Sequence, residues 1–306
     1  VPNRCDLCKE FALRALDERI GALMKAAGPA SEYDIDGIHD VRVASRRIRS
    51  LLRAHKMAFK KKPFEGLRGR VRAVTRGLGD ARELDVTIGL LEKRRKQLKG
   101  PARLAANQTL RLLRQERTEE LSSVDASVHL VRDARFAECL DTLKASAKGT
   151  KRCYLDIAAK ALDKRLEALE KCHAKWRQTY SEEDLHQVRI AFKRLRYSCE
   201  IFRPLYPEAL QDFLDTLKKT QEHLGDWNDV RILRDRTERL AKSISGDAAE
   251  GISMLQSQFD RQADELREAY ELDSEAFFSG DALSETRALL GAPTHACCSP
   301  GMRKGS

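Results

Sequence analysis

Two stretches, "HDVRVASRRIR" at residues 39–49 and "HQVRIAFKRLR" at 186–196, share a layout that a helix accounts for. At 100° per residue, Ile38, Val41, Ile48, Leu51 and Leu52 gather on one side of the first stretch, and Leu185, Val188, Phe192, Leu195, Cys199 and Phe202 do so in the second. Both stripes read as core. Beside the first stripe, Arg42, Arg46, Arg49 and Arg53 follow His39 at +3, +7, +10 and +14. That is a ladder of roughly 21 Å at 1.5 Å per residue. The second stretch keeps the ladder as His186, Arg189, Lys193 and Arg196, while Arg47 and Arg194 point away from it and serve another contact. A merely solvated face usually mixes signs, because like charges four residues apart destabilise a helix by ~0.2–0.5 kcal/mol per pair. Neither of these faces mixes signs.

The two stretches are part of a longer correspondence. An offset of 146 or 147 residues also lays "ALDERIGAL" at 15–23 on "ALDKRLEAL" at 161–169, and "LGDARELDV" from 78 on "LGDWNDVRI" from 224. Three matches in the same order indicate an internal duplication with a boundary near "SAKGT", 146–150. Glycine and proline punctuation then predicts helices near 7–27, 36–59, 64–78, 81–98, 102–121 and 133–146, and again near 151–178, 182–202, 208–224, 227–244 and 248–278. The expected architecture is all-α: two pseudo-symmetric helical bundles of four-helix type, residues 1–146 and 147–290, with a loose tail at 291–306.

The composition agrees. Of 306 residues, 34% are charged and only 6% aromatic, which favours amphipathic helices over sheet. The formal charge of +10 favours a polyanionic partner. No window approaches the apolar length of a membrane span and the first residues do not resemble a secretion signal, so a soluble, cytoplasmic protein without membrane contact is expected. Cys139, Cys153, Cys172 and Cys199 are scattered singly, as partly buried thiols rather than a disulfide framework. Cys5 and Cys8 together with His295, Cys297 and Cys298 make a poor zinc site, since adjacent cysteines reach one tetrahedral centre awkwardly.

The third predicted helix repeats the design. Phe64, Leu67, Val71, Val74 and Leu78 form its apolar face, with Arg68, Arg72 and Arg76 alongside and Lys218 and Lys219 as the counterparts in the second half. If these flanks converge, they build a basic groove or central channel. His39 and His186 stand at the head of each ladder, where nearby arginines favour the neutral ring and a bound polyanion reverses that bias. The Leu-Gly-Asp elements read mechanically: Gly79 and Gly225 as left-handed helix ends, Asp80 and Asp226 as caps of the next helix, with Glu83 and Asp229 as capping partners. Arg82 and Asn228 are placed to face the groove.

The His-x-x-Arg-Val-x-x-Arg-Arg-x-Arg helix, its second copy and the paired Leu-Gly-Asp elements resemble the CHAD family, the conserved-histidine α-helical domains, over roughly residues 7–290. The resemblance implies two four-helix bundles whose basic surface and central channel bind inorganic polyphosphate, and association with polyphosphate granules. Carried over to this chain, the family histidines fall on His39 and His186, and its basic positions on Arg42, Arg46, Arg47, Arg49, Arg189, Lys193, Arg194 and Arg196. The chain has Arg82-Glu83 where the family commonly has Arg-Asp.

Three functions of different classes follow. The leading one is a non-catalytic polyphosphate-binding module, needing no cofactor or metal ion. The second is a metal-dependent phosphohydrolase acting on polyphosphate or nucleotides, prompted by His39-Asp40, against which stand the repeat's His186-Gln187 and the surrounding cations that repel a divalent metal. The third is weak nucleic-acid binding, which the basic balance permits although the ladders hold almost no aromatic residues for stacking. Trp176, Trp227 and Tyr197 are dispersed.

Overall fold

The helix that carries the first ladder starts where Asp34, in extended backbone, accepts a hydrogen bond from the Gly37 amide at 2.6 Å. Its counterpart starts at Ser181, whose hydroxyl accepts from the Asp184 amide at 3.2 Å. Both are ordinary side-chain caps on orphan amides. The structure, a computed structural model, describes residues 7–150, 152–206 and 209–292. In chain order the helices are α1 (Leu7–Ala30), α2 (Ile35–Ala54), α3 (Lys61–Gly77), α4 (Gly79–Arg95), α5 (Gly100–Glu119), α6 (Leu121–Arg132), α7 (Ala134–Ala145), α8 (Tyr154–Thr179), α9 (Glu182–Phe202), α10 (Ala209–Ala241), α11 (Asp247–Phe277) and α12 (Gly280–Gly291). The protein is all-α. Among the described residues no helix is long and apolar enough to cross a membrane.

The apolar stripes read from the sequence are the core. Every residue named above on the stripes of α2, α9 and α3 is buried, from Ile38 and Leu185 to Leu78. α1 packs along α2 and α8 along α9, while α2 lies against α9 and α4 against α10. α5 lies along α11, on the far side of the 146–150 connection, so residues on both sides of that connection share one hydrophobic core. Gly251 on α11 permits this approach: a methyl group there would overlap the Pro101 carbonyl at the start of α5.

Four readings are corrected. The Leu-Gly-Asp elements are not helix ends with left-handed glycines, since only Gly100 and Gly246 among the described glycines have positive φ. Gly79 opens α4 with Leu78 as its cap residue, and neither helix end there has a side-chain cap. Gly225 lies inside α10, a single 33-residue helix where two had been expected. A glycine costs such a helix about 1 kcal/mol relative to alanine, which burial of Leu224, Trp227 and Val230 around it offsets. Two helices went unread: α6, whose Val124, Val128 and Val131 are buried, and α12, which carries the chain to Gly291 inside the expected tail. The suggested cysteine–histidine zinc ligands Cys5, His295, Cys297 and Cys298 lie outside the described residues.

Candidate functional site: a basic trough between two helix pairs

α2 and α9 form one wall of a trough of about 1250 Å³, and α4 with α10 forms the other. The ladders meet here. His39, Arg42, Arg46 and Arg49 from α2 and His186, Arg189, Lys193 and Arg196 from α9 all line it.

The two walls differ in electrical character. On the α4/α10 wall three of the four arginines are already paired: Arg236 reaches Glu83 at 2.7 Å and Glu116 at 3.1 Å, Arg239 reaches Glu116 at 2.8 Å, and Arg231 reaches Asp235 at 3.0 Å, although its Nε is buried without an acceptor; Arg82 makes no ion pair with a described carboxylate. On the α2/α9 wall, Arg42, Arg46, Arg49, Arg189 and Lys193 make no ion pair with a described carboxylate; Arg196 has Glu200 at 3.3 Å, one turn along its own helix. The Nε groups of Arg42, Arg46 and Arg189 are buried without a hydrogen-bond acceptor, as is the Tyr197 hydroxyl. An unmet buried donor costs on the order of 1–3 kcal/mol, more when charged. This wall therefore stores unfavourable energy that an acceptor-rich ligand removes.

Titration behaviour records the crowding. Burial, then Arg189 and Arg46, bring the Lys193 ammonium down to about 7. Burial also lowers Arg46 and Arg189, with cationic neighbours adding to it. His39 is lowered by burial and then by Arg82, and His186 by burial and then, against a raising hydrogen bond from Asn228, by Arg189 and Arg231. The His186 Nδ1–H donates to Asn228 Oδ1 at 3.1 Å, which leaves Nε2 as the ring nitrogen available for a second partner. Arg82 and Asn228 both line the trough.

Eight of the sixteen sequence-named basic positions stand elsewhere. Arg47 points to the α1 side, 3.8 Å from Glu200. Arg53 and Arg194 line a separate pocket. Arg68 is paired with Glu65 at 2.5 Å, and Arg72 and Arg76 are exposed; Arg68 and Arg72 are nonetheless close enough to depress Arg49, so the positive field continues past the trough's end. Lys218 and Lys219 are exposed on the outer face of α10, Lys219 3.5 Å from Asp273. The phase of a ladder fixes which side of its own helix it occupies, but not which neighbour that side meets. Tyr197 was read only as a dispersed aromatic, yet it lies at the centre: the Arg46 and Arg196 guanidiniums sit 4.9 and 5.2 Å from its ring centroid. The repeat gave no signal for it, since the first copy has Ser50 at the matching position. Gln221, Arg231, Arg236 and Arg239 had no signal either.

Among the described residues no group of three or more His, Cys, Asp and Glu is arranged to hold a metal ion.

The CHAD domain family matches residues 14–238 of the chain. The chain belongs to the CHAD family. Two uncharacterized proteins of Mycobacterium tuberculosis, from strains CDC 1551 and H37Rv, are 24% identical to this CHAD chain over 269 residues, covering 84% of it and 51% of each relative. The chain thus spans about half the length of those relatives. The crystal structure of the CHAD domain from the plant Ricinus communis superposes with a TM-score of 0.65 at 22% identity, covering 96% of this chain and 94% of that one. PptA from Streptomyces chartreusis superposes at 0.63 with 15% identity, covering 87% and 99%. These likenesses show the CHAD fold.

Proposed function

We propose that this CHAD domain is a non-catalytic binding module for inorganic polyphosphate. CHAD domains are linked to polyphosphate binding. The observation that carries the reading is the α2/α9 wall: five cations from two helices, without carboxylate partners, aimed into one trough with three of their Nε donors unmet. A flexible string of phosphoryl groups offers acceptors at short, regular intervals and suits mixed arginine and lysine, the first through bidentate bonds and the second as a point charge.

Nucleic acid is a poorer fit. The lining's single phenolic ring, Tyr197, is 6% exposed and carries two guanidiniums, so it has no free face for a base. A polyphosphate-granule address in the cytoplasm follows from the same reading.

The test is retention on immobilised polyphosphate across a salt series, comparing the wild type with the variant Arg42→Glu, Arg49→Glu, Arg189→Glu, Arg196→Glu. The variant is expected to lose nearly all retention while keeping its helical circular dichroism. Retention equal to wild type, or release of phosphate from polyphosphate that His39→Ala abolishes, overturns the reading.

A further inference from the structure

A second pocket, of about 340 Å³, opens between the C-terminal turn of α2, the middle of α8 and the outer face of α9. Its polar lining is Arg53, Lys164, Arg165 and Arg194, with Ser50 and Ser198, and it contains no carboxylate. None of the four cations is within ion-pair distance of a described carboxylate. They are close to one another: burial, then Arg53 and Arg194, lower the Arg165 guanidinium, and burial, then Arg194 and Arg68, lower that of Arg53.

The chain supplies its own comparison. The 146-residue offset that lays α1 on α8 sets Arg165 against Arg19 and Lys164 against Glu18, and the 147-residue offset of the two basic motifs sets Arg194 against Arg47 and Glu200 against Arg53. Those four counterparts also line one pocket, against α1. There Arg19, Lys25 and Arg47 share the lining with Glu18, Glu200, Asp34, Asp36 and Asp40, so the cations are balanced, and outnumbered, by the protein's own carboxylates. In the α8 pocket the same two arginine positions are kept, and both glutamate positions are cations. The balanced version shows that the fold does not require four cations at this place, so their concentration needs a cause other than packing.

We propose that Arg53, Lys164, Arg165 and Arg194 form a second anion site, separate from the trough, that holds a short condensed phosphate. Guanidiniums offer paired donors to phosphoryl oxygens, and Lys164 and the two serine hydroxyls lie within the same lining. The occupant's chemistry, a phosphoryl oxyanion carrying more than one charge, is supplied equally by a free diphosphate or by the end of a longer chain. The site does not depend on the reading of the trough.

The experiment is equilibrium dialysis of the full chain against labelled pyrophosphate, without divalent metal. The starting protein is Arg42→Glu, Arg189→Glu, Arg196→Glu, which disables the trough. Pyrophosphate is expected to bind this variant, and adding Arg165→Ala with Arg194→Ala is expected to weaken it by tenfold or more. Adding Arg53→Glu with Lys164→Glu, which writes the balanced pocket's charges into this one, is expected to do the same with an unchanged melting profile. Adding Arg19→Ala with Arg47→Ala is expected to leave binding intact. No binding to the trough-disabled protein, or binding indifferent to both α8-pocket pairs, overturns the second site. Long-chain polyphosphate on otherwise wild-type Arg165→Ala, Arg194→Ala separates the sources: weakened binding assigns the site to a chain end, unchanged binding to a free diphosphate. Retention of long chains by the trough-disabled protein counts against the trough alone.

Discussion

The Arg46 guanidinium, from α2, lies 4.9 Å from the ring centroid of Tyr197, on α9, and so joins the two ladders through one aromatic ring. Arg196 approaches the same ring at 5.2 Å. The negative face of the aromatic ring attracts both half-buried cations, of which Arg46 has no ion pair with a described carboxylate while Arg196 also has Glu200, and such contacts are worth about 0.5–2 kcal/mol each. Tyr197→Leu is therefore expected to lower the melting temperature of the free protein by a few degrees, since about 1 kcal/mol moves a mid-sized domain by roughly 2–4 °C. Saturating polyphosphate should recover most of the loss; an unchanged melting temperature without ligand would show the ring to be incidental.

Removing charge from the same wall should act in the opposite sense. Lys193 has no carboxylate partner and is held down to about 7 mainly by burial. Lys193→Met relieves desolvation and repulsion together. The free protein is expected to gain about 1 kcal/mol or more in stability, read by urea unfolding, while polyphosphate affinity falls about tenfold. Sites kept for ligands are commonly unfavourable to the free fold, and this pair of measurements checks both halves of that statement.

Binding should take up protons. In the free protein Lys193 loses its proton around pH 7, and His39 and His186 are lowered below the ordinary histidine value by burial and cationic neighbours. A bound polyanion raises all three. Affinity should therefore fall as pH rises through 7, where free Lys193 loses its proton, and should rise further on the acid side as the two histidines take up theirs. Isothermal titration calorimetry in buffers of different ionisation enthalpy would measure the uptake. Lys193→Arg should remove most of the dependence above pH 7 and leave the histidine part; a profile identical to wild type would exclude Lys193 as its source.

Salt dependence reports the number of phosphates neutralised. By analogy with single-stranded nucleic acids, log affinity should fall with log salt at about −0.7 per phosphate contact. Arg189→Gln should make that slope shallower by about that amount, whereas Arg239→Gln, whose guanidinium is already held by Glu116, should leave it nearly unchanged. Equal effects of the two substitutions would contradict the difference between the walls.

The join between α2 and α8 should be acid-sensitive. The His55 Nδ1–H donates to the Leu51 carbonyl at 3.1 Å, and Nε2 accepts from the Tyr154 hydroxyl at 2.6 Å, a neutral ring with both nitrogens used. Burial takes its pKa from 6.5 to about 4. The folded state cannot readily take a proton that the unfolded chain accepts. Stability is thus fully present above about pH 6.5 and is lost as pH falls toward 4, by up to about 3 kcal/mol. Melting curves at pH 7.5 and 4.5 would show this, and His55→Asn, less stable at neutral pH, should show a smaller difference between them.

What the amino-acid sequence settled by itself was the local grammar. Helical phase alone identified which faces of α2, α3 and α9 are buried, because burial is periodic along a helix and the sequence displays that period directly. The 146–147-residue offset likewise singled out His39, Arg42, Arg46 and Arg49 with His186, Arg189, Lys193 and Arg196 as a matched set. The first Leu-Gly-Asp element does lie where α3 gives way to α4, but the second misled: a glycine beside an aspartate is a sound local reason to end a helix, and the buried contacts that carry α10 through Gly225 come from residues distant in the chain. The assembly of the site was decided by tertiary packing: whether Arg53 joined the trough or left it, and whether Arg236 met Glu83 or a ligand, depended on how α4, α8 and α10 lie against the ladders. Charge pairing is a property of distance between helices, and a single strand of letters does not contain that distance.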